Sequence, residues 1–229
     1  MTDFPFNPAL PADVLARRSL PLKPDPVVLT GRRIRLQPLD LERDTPLLFA
    51  RSNGQPASLG TRMIDAYDPD EMVWRYMGGG PFAGVSALRD WLKIQVDAPD
   101  RLALCVYDIE TNTPVGATNL MSNVPAALSI ELGNIWYSPL AQRMGVNTEA
   151  TYLMLGHVFN LGYRRVVWKC DALNLRSRKS ALRFGFQFEG IHEYHLIVKD
   201  RNRDTAWFRM LDHEWDTVRE QFERMMDSR

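Results

Sequence analysis

Residues 130–150, IELGNIWYSPLAQRMGVNTEA, read as a strand, a short turn carrying Pro139, and the opening of a helix. A helix begins with four backbone N–H groups that lack partners inside it, at the positive end of its dipole, so the turn 142–148 is a natural seat for an anion. Gly145 removes a side chain where a phosphate would need the backbone close. An ordinary strand-to-helix turn with Asn147 as N-cap is the competing reading. Glu131 lies in the strand that leads to this turn, and strict alternation puts it on one face with Gly133, Ile135 and Tyr137. A carboxylate there can act as a general base, probed against the alternative of a salt bridge to a helix arginine. A second strand-to-helix junction follows in DALNLRSRKSALRFGFQFEG, where Asn174 and Ser177 fall at the start of the helix.

The elements that must position these residues are legible by period. VVLTGRRIRLQPL alternates as a first strand, with Ile34 and Leu36 set against Arg33 and Arg35. A short helix capped by Asp40 follows, then two helical stretches, DEMVWRYM and SALRDWLKIQVDA, around the loop Gly78, Gly79, Gly80 and Pro81. LALCVYDI and PVGATNLM make a hairpin, and SIELGNIWY is the third consecutive strand. Ala150, Leu153, Met154, His157, Val158 and Leu161 form one helical stripe ending at Gly162. RRVVWKCDA is a strand, Asn174 caps a helix to about Phe184, and GFQFEGIHEYHLIVKD with DTAWFRML closes as a hairpin. A last helix from Asp212 to Met226 carries Trp215, Val218, Phe222 and Met225 in register, a stripe that fits either its own sheet or a second subunit in a homodimer. This order predicts a mixed sheet covered by helices, an α/β (α+β) fold.

Six of the 15 prolines lie in the first 26 residues, so residues 1–26 are expected to form an irregular arm and residues 27–229 a single unit. The 28 basic and 28 acidic side chains cancel, which argues against nucleic acid or an anionic membrane as partner. An RNA site built on Arg164, Arg165 and residues 176–179 would work against that balance. Cys105 and Cys170 both lie in apolar runs, which speaks for buried thiols in a reducing compartment, and the chain start lacks a secretory pattern, so the cytoplasm is the expected location. His157 sits on an apolar stripe, and His192 and His195, three apart in a strand, are expected on opposite faces, so no metal site is predicted. There is no His-Glu-x-x-His, Cys-x-x-Cys, Walker or Gly-x-Ser-x-Gly pattern.

Gln142 and Gly145 match the Gln/Arg-x-x-Gly-x-Gly/Ala loop of the GNAT acetyltransferases, with Asn147 departing at the last position. Asn174 and Ser177 match an Asn-x-x-Ser helix start, and Gly185, Phe186, Glu189 and Gly190 a Gly-Phe-x-x-Glu-Gly ending. In these motifs the chain resembles the GNAT superfamily, and particularly its ribosomal-protein N-terminal acetyltransferase branch. The resemblance implies a mostly antiparallel seven-stranded sheet with a splayed central parallel pair, flanked by helices. It implies an enzyme, an N-acetyltransferase moving acetyl from acetyl-CoA directly to a primary amine, either a protein or peptide N-terminus or a small amine. A catalytically weak CoA-binding sensor or protein-interaction module is the rival.

On this resemblance the cofactor-binding residues are Ile135, Trp136, Tyr137, Gln142, Arg143, Met144, Gly145, Val146, Asn147, Thr148, Asn174, Ser177 and Arg178, with Arg176 and Lys179 adding local positive charge. A bulge over residues 133–137 would offer main-chain groups to pantetheine. Glu131 is the general base, Ser177 the group near the sulfur and Asn174 its orienting partner, although the last two can equally serve as helix caps. Tyr137 and Tyr194 are alternative acids. Trp74, Tyr76, Phe82 and Tyr194 are candidates for the acceptor pocket, which should come from residues 70–82 and the turn 199–204. At pH 7 a peptide α-amine is neutral in roughly one molecule in seven and a lysine in about one in a few thousand, which favours the former as acceptor.

Overall fold

In a computed structural model, described here for residues 9–227, the helices are α1 (Ala12–Ala16), α2 (Leu41–Ala50), α3 (Val85–Asp97), α4 (Val146–Asn160), α5 (Leu175–Arg183) and α6 (Trp215–Asp227). The strands are β1 (Leu29–Thr30), β2 (Ile34–Pro38), β3 (Ala57–Leu59), β4 (Arg62–Ile64), β5 (Leu102–Asp108), β6 (Thr113–Val124), β7 (Ser129–Tyr137), β8 (Arg165–Asp171), β9 (Gln187–Val198) and β10 (Arg201–Leu211). Eight of them form one sheet in the order β1-β2-β5-β6-β7-β8-β10-β9, antiparallel throughout except for the pair β7 and β8.

Alternation buries both faces of this sheet. Leu102, Leu104 and Val106 of β5 join a core with Ile130, Leu132, Met154 and Phe222, beneath α4 and α6. Ala103, Cys105 and Tyr107 point the other way, into a second core with Leu48, Leu88 and Leu92 of α2 and α3. The sequence expectation of a mixed sheet covered by helices holds, and Asp40 caps α2 by accepting from the amides of Glu42 and Arg43.

Several details differ. The sheet has eight strands instead of seven, because the first predicted strand folds back on itself at Gly31 to make β1 and β2. The Glu149 carboxylate accepts the amides of Arg32 and Arg33 in that turn, and a Cβ on residue 31 would collide with it. Residues 57–64 form a small separate hairpin whose strands, three residues each, are too short to show a period. DEMVWRYM is a single wide helical turn at Asp70–Trp74. In α4 the buried side is Val146, Ala150, Met154, Leu155 and Val158, while Leu161 is exposed beyond the helix end. That helix is sandwiched between sheet and α6, so it is apolar on more than one stripe. The final helix packs on its own chain, with the Phe222 ring 5.1 Å from Phe184 and Trp215 5.6 Å from Phe159, so its stripe is already covered.

Within the expected N-terminal arm, residues 1–8 lie outside the described residues. The remainder is less irregular than its prolines suggest: α1 forms, Lys23 Nζ donates to the Val96 carbonyl at 2.6 Å, and Asn123 Nδ2 donates to the carbonyls of Pro21 and Leu22. Cys105 and Cys170 are free and buried. Among the described residues no helix is long and apolar enough to cross a membrane.

Candidate active site

Two bulges and one divergence build the site. β7 and β8 pair in parallel only as far as Leu132 beside Trp168, although both strands continue, so they part like the arms of a V. At the same point Asn134 and Ile135 together stand opposite Thr118 of β6, and Asn134 takes a left-handed φ of 49°. The extra residue shifts the phase of the strand. Gly133 stays on the Glu131 face, whereas Ile135 and Tyr137 turn to the α4 side with Ile130 and Leu132, which corrects the single face expected from alternation. Buried Gln95 of α3 holds the bulge, its Oε1 accepting from Asn134 Nδ2 at 3.1 Å and from Asn119 Nδ2 at 2.7 Å.

A cavity opens on each side of the V. The larger, about 670 Å³, runs from the turn before α4 to the parted strands. Of the residues expected to bind the cofactor, Ile135, Trp136, Tyr137, Gln142, Arg143, Gly145, Asn147, Thr148, Asn174 and Ser177 line it. Gly145 occupies the N-cap position with φ 83°, and the first bond into the helix from outside runs from the Glu149 amide to the Gly145 carbonyl. The amides of Val146, Asn147 and Thr148 therefore have no backbone acceptor, the condition of an anion seat. Asn147 is not the cap: its Oδ1 accepts from the Tyr137 hydroxyl at 3.3 Å. Gln142 Nε2 donates to the carbonyls of Tyr137 and Met72, pinning the turn to the Asp70–Trp74 segment.

Three expected ligands are placed otherwise. Met144 is exposed and Val146 sits in the core, so each presents only backbone to the turn. Arg178 turns away, donating to the Ala172 carbonyl and lying over the Phe188 ring. Of the two further basic residues expected there, Arg176 lines the cavity and Lys179 does not; Ser180 and Arg183 join Arg176, at offsets of 0, 4 and 7 that define one face of α5.

The smaller cavity, about 210 Å³, shares Tyr76, Met77, Ile135, Trp168, Asn174 and Ser177 with the larger one. Glu131 lines it, nearly buried, with its Oε2 2.6 Å from Lys169 Nζ and accepting from Ser122 Oγ at 3.0 Å. The ion-pair partner is thus a strand lysine and no helix arginine. Ser177 Oγ accepts from Trp168 Nε1 at 3.0 Å, and Asn174 Oδ1 accepts from the Ser177 amide, so the cap and the cavity wall are the same two residues.

Trp74 and Phe82 do not reach either cavity. Trp74 is fully buried, its ring 5.0 Å from Phe82 and 5.8 Å from Trp91, and the glycine loop packs against these rings so tightly that a Cβ at Gly79 or Gly80 would strike them. Tyr194 is 84 % exposed on the edge strand and lines neither cavity. Tyr137 is buried, which pushes its phenol far above the ordinary range. Burial likewise raises the Cys170 thiol, which borders the smaller cavity.

The family model for the GNAT acetyltransferase domain matches residues 33–187. The chain belongs to the GNAT acetyltransferase family. It is therefore an acetyltransferase enzyme, and its solved relatives agree. A GCN5-related N-acetyltransferase from Brucella melitensis is 36% identical over 88% of this chain and 86% of that one, with a TM-score of 0.78. A GNAT-family protein from Chromobacterium violaceum is 34% identical over 93% of this chain and 100% of that one, also at 0.78. An acetyltransferase from Salmonella typhimurium that modifies the N-terminal serine of ribosomal protein L7/L12 shares the fold, at 14% identity over 81% of this chain and 99% of that one, with a TM-score of 0.64. Comparison with proteins of curated function finds none that matches.

The residues of this GNAT site fit the acetyl-CoA on which the family draws. A row of free amides, a glycine at positive φ and an unpaired edge of β7 beyond Leu132 are what a pyrophosphate and an amide-bearing chain require.

Sequence reasoning named the turn 199–204, which contains Arg203, and missed Ser122, Lys169, His195 and Thr205, all in the smaller cavity. His195 is the instructive case. Residues 193, 194 and 195 of β9 together face Asp204, with Tyr194 at φ 52°, so His192 and His195 end on one side, 5.6 Å apart, around Trp207. The expectation of opposite faces fails because a bulge breaks the period. His195 Nδ1 lies 2.9 Å from Thr205 Oγ1, and desolvation, then the positive charge of its neighbours, lowers its pKa.

Proposed function

We propose that the protein transfers the acetyl group of acetyl-CoA directly to a primary amine of a small molecule or a peptide N-terminus. The observation that carries the reading is the meeting of the two cavities at the parted strands, through walls shared by Asn174 and Ser177. Acetyl-CoA supplies an activated thioester there. The amides of Val146, Asn147 and Thr148 would hold its pyrophosphate, with Arg176 and Arg183 adding charge on the same wall. The open edge of residues 133–137 would pair with its pantetheine. On the other side Glu131 takes a proton from the incoming amine, directly or through water. Ser177 Oγ already accepts from Trp168, which leaves its own proton to be donated toward the departing sulfur, with Asn174 holding the residue in place.

Calorimetric titration with acetyl-CoA, beside a Gly145→Glu variant, tests the reading. Micromolar binding that the substitution abolishes, followed by turnover on an amine panel, is the expected result. Binding without turnover on any amine would favour a sensor, and no binding by the wild type would remove the donor altogether.

A further inference from the structure

Arg203 stands in the wall of the smaller cavity without a counter-ion. Its Nε is buried with no hydrogen-bond partner, and among the described residues no carboxylate pairs with its guanidinium. A buried donor left unmade costs far more than a made bond returns, so such a group inside a cavity points to a ligand that completes it. The acids that could have served are committed elsewhere. Asp204, its chain neighbour, accepts from the Tyr194 amide and from Asn202 Nδ2, both at 2.8 Å, and so stabilises the β9 bulge. Glu131, the acidic residue of the cavity wall, is neutralised by Lys169 at 2.6 Å. With that pair cancelled, Arg203 leaves the cavity an uncompensated positive charge. His195, fixed by Thr205, adds a polar ring to the same wall and brings no negative charge.

We propose that Arg203 binds a carboxylate of the acetyl acceptor, so that the substrate is an amine carrying a carboxylate a few bonds from its amino group. The inference rests on the acetyltransfer reading above and names its acceptor class. A guanidinium fork takes a carboxylate through two parallel hydrogen bonds, which orients the substrate as well as attracting it. A cavity of about 210 Å³ takes one residue-sized fragment, so carboxylate and amine must be close together. Two sources share this chemistry: the carboxylate of a free amino acid, and an acidic side chain on the first residue of a peptide.

The test uses the full chain with saturating acetyl-CoA and two matched acceptor pairs. β-Alanine against β-alanine amide represents the free amino acid; Asp-Ala-Ala amide against Asn-Ala-Ala amide represents the acidic N-terminus. The wild type should use the charged member of one pair at least about tenfold better in kcat/KM, because a site built for a polar group rejects the analogue that lacks it. Which pair shows the preference identifies the source. Arg203→Gln should erase the preference while the neutral member changes by less than about threefold, and Arg203→Lys should keep part of it. The same Arg203→Gln protein should bind acetyl-CoA like the wild type by calorimetry, which shows an intact donor side. Equal use of charged and neutral members, a preference that survives Arg203→Gln, or no turnover of either pair by a protein that binds acetyl-CoA would each overturn the proposal. Failure of the wild type to bind acetyl-CoA would instead sink the acetyltransfer reading itself.

Discussion

Glu131 and Lys169 stand on adjacent parallel strands and meet at 2.6 Å in the angle where those strands part. Lys169 Nζ also lies 4.5 Å from the centre of the Trp207 ring, so the lysine is held between a carboxylate and an aromatic face. The pair places a nearly buried negative charge in the cavity wall while meeting most of its desolvation cost. Glu131→Gln should lower kcat at neutral pH by about a hundredfold or more, with acetyl-CoA affinity close to wild type. Lys169→Met should lower the free energy of urea unfolding by about 3 kcal/mol, since it strands the carboxylate, and Glu131→Gln in that background should restore part of it. A pH–rate profile unchanged by Glu131→Gln would remove Glu131 from the chemistry.

Ser177 serves two structures at once, the cap of α5 and the hydrogen bond to Trp168 Nε1. Ser177→Ala leaves the indole donor unpaired, and about 1–2 kcal/mol of stability should disappear. If its hydroxyl also donates toward the departing sulfur, kcat falls about tenfold or more while the KM for acetyl-CoA moves little. A variant with the stability loss but full kcat would mark the Ser177 hydroxyl as a hydrogen-bond acceptor for Trp168 alone.

Gln95 anchors the β7 bulge from the helix side through Asn134 and Asn119. Replacing it with Leu strands two amides in a buried setting, a cost of about 2 kcal/mol by denaturant titration. The second readout is cofactor affinity. Because the bulge opens the edge of residues 133–137, acetyl-CoA should bind about tenfold more weakly to Gln95→Leu, a change that a residue serving stability alone would not produce.

His157 is half-buried in α4, and burial lowers its pKa below the ordinary 6.5. The unfolded chain therefore takes up the proton first as pH falls. The sign follows: this contribution to stability is whole above about pH 6.5 and is lost as pH drops through the lower folded value. Urea unfolding at pH 7.5 and pH 5.5 should show a smaller acid loss in His157→Gln than in the wild type. Equal losses in the two proteins would show that His157 does not contribute to the acid limb.

Much of the fold can be read locally. The hairpin of β5 and β6, the run from β7 into α4 and the Asn174 cap are each specified by neighbours within a few residues, where period and side-chain type decide the outcome. The anion turn was equally accessible, because free amides and a glycine at a helix start are properties of a short segment. The aromatic residues misled for the opposite reason. Trp74 and Phe82 lie in a chain segment of open appearance, yet Trp91 and Trp136 arrive from α3 and β7, burying Trp74 and partly covering Phe82.

From its sequence alone the chain determined the type and order of the elements around the site, the glycine turn before α4 and the identity of Glu131, Asn174 and Ser177 as polar residues of the site. Only the tertiary structure decided which faces those elements present. The bulge at Asn134 reverses the side of the β7 residues that follow it, and the one around Tyr194 brings His195 to the His192 side; no local pattern announces either, because each is stabilised by a distant partner, Gln95 in one case and Asp204 in the other. The same holds for charge. Lys169 neutralises Glu131 and Arg203 stays unpaired because strands far apart in sequence lie side by side, and an ion pair depends on distance in space.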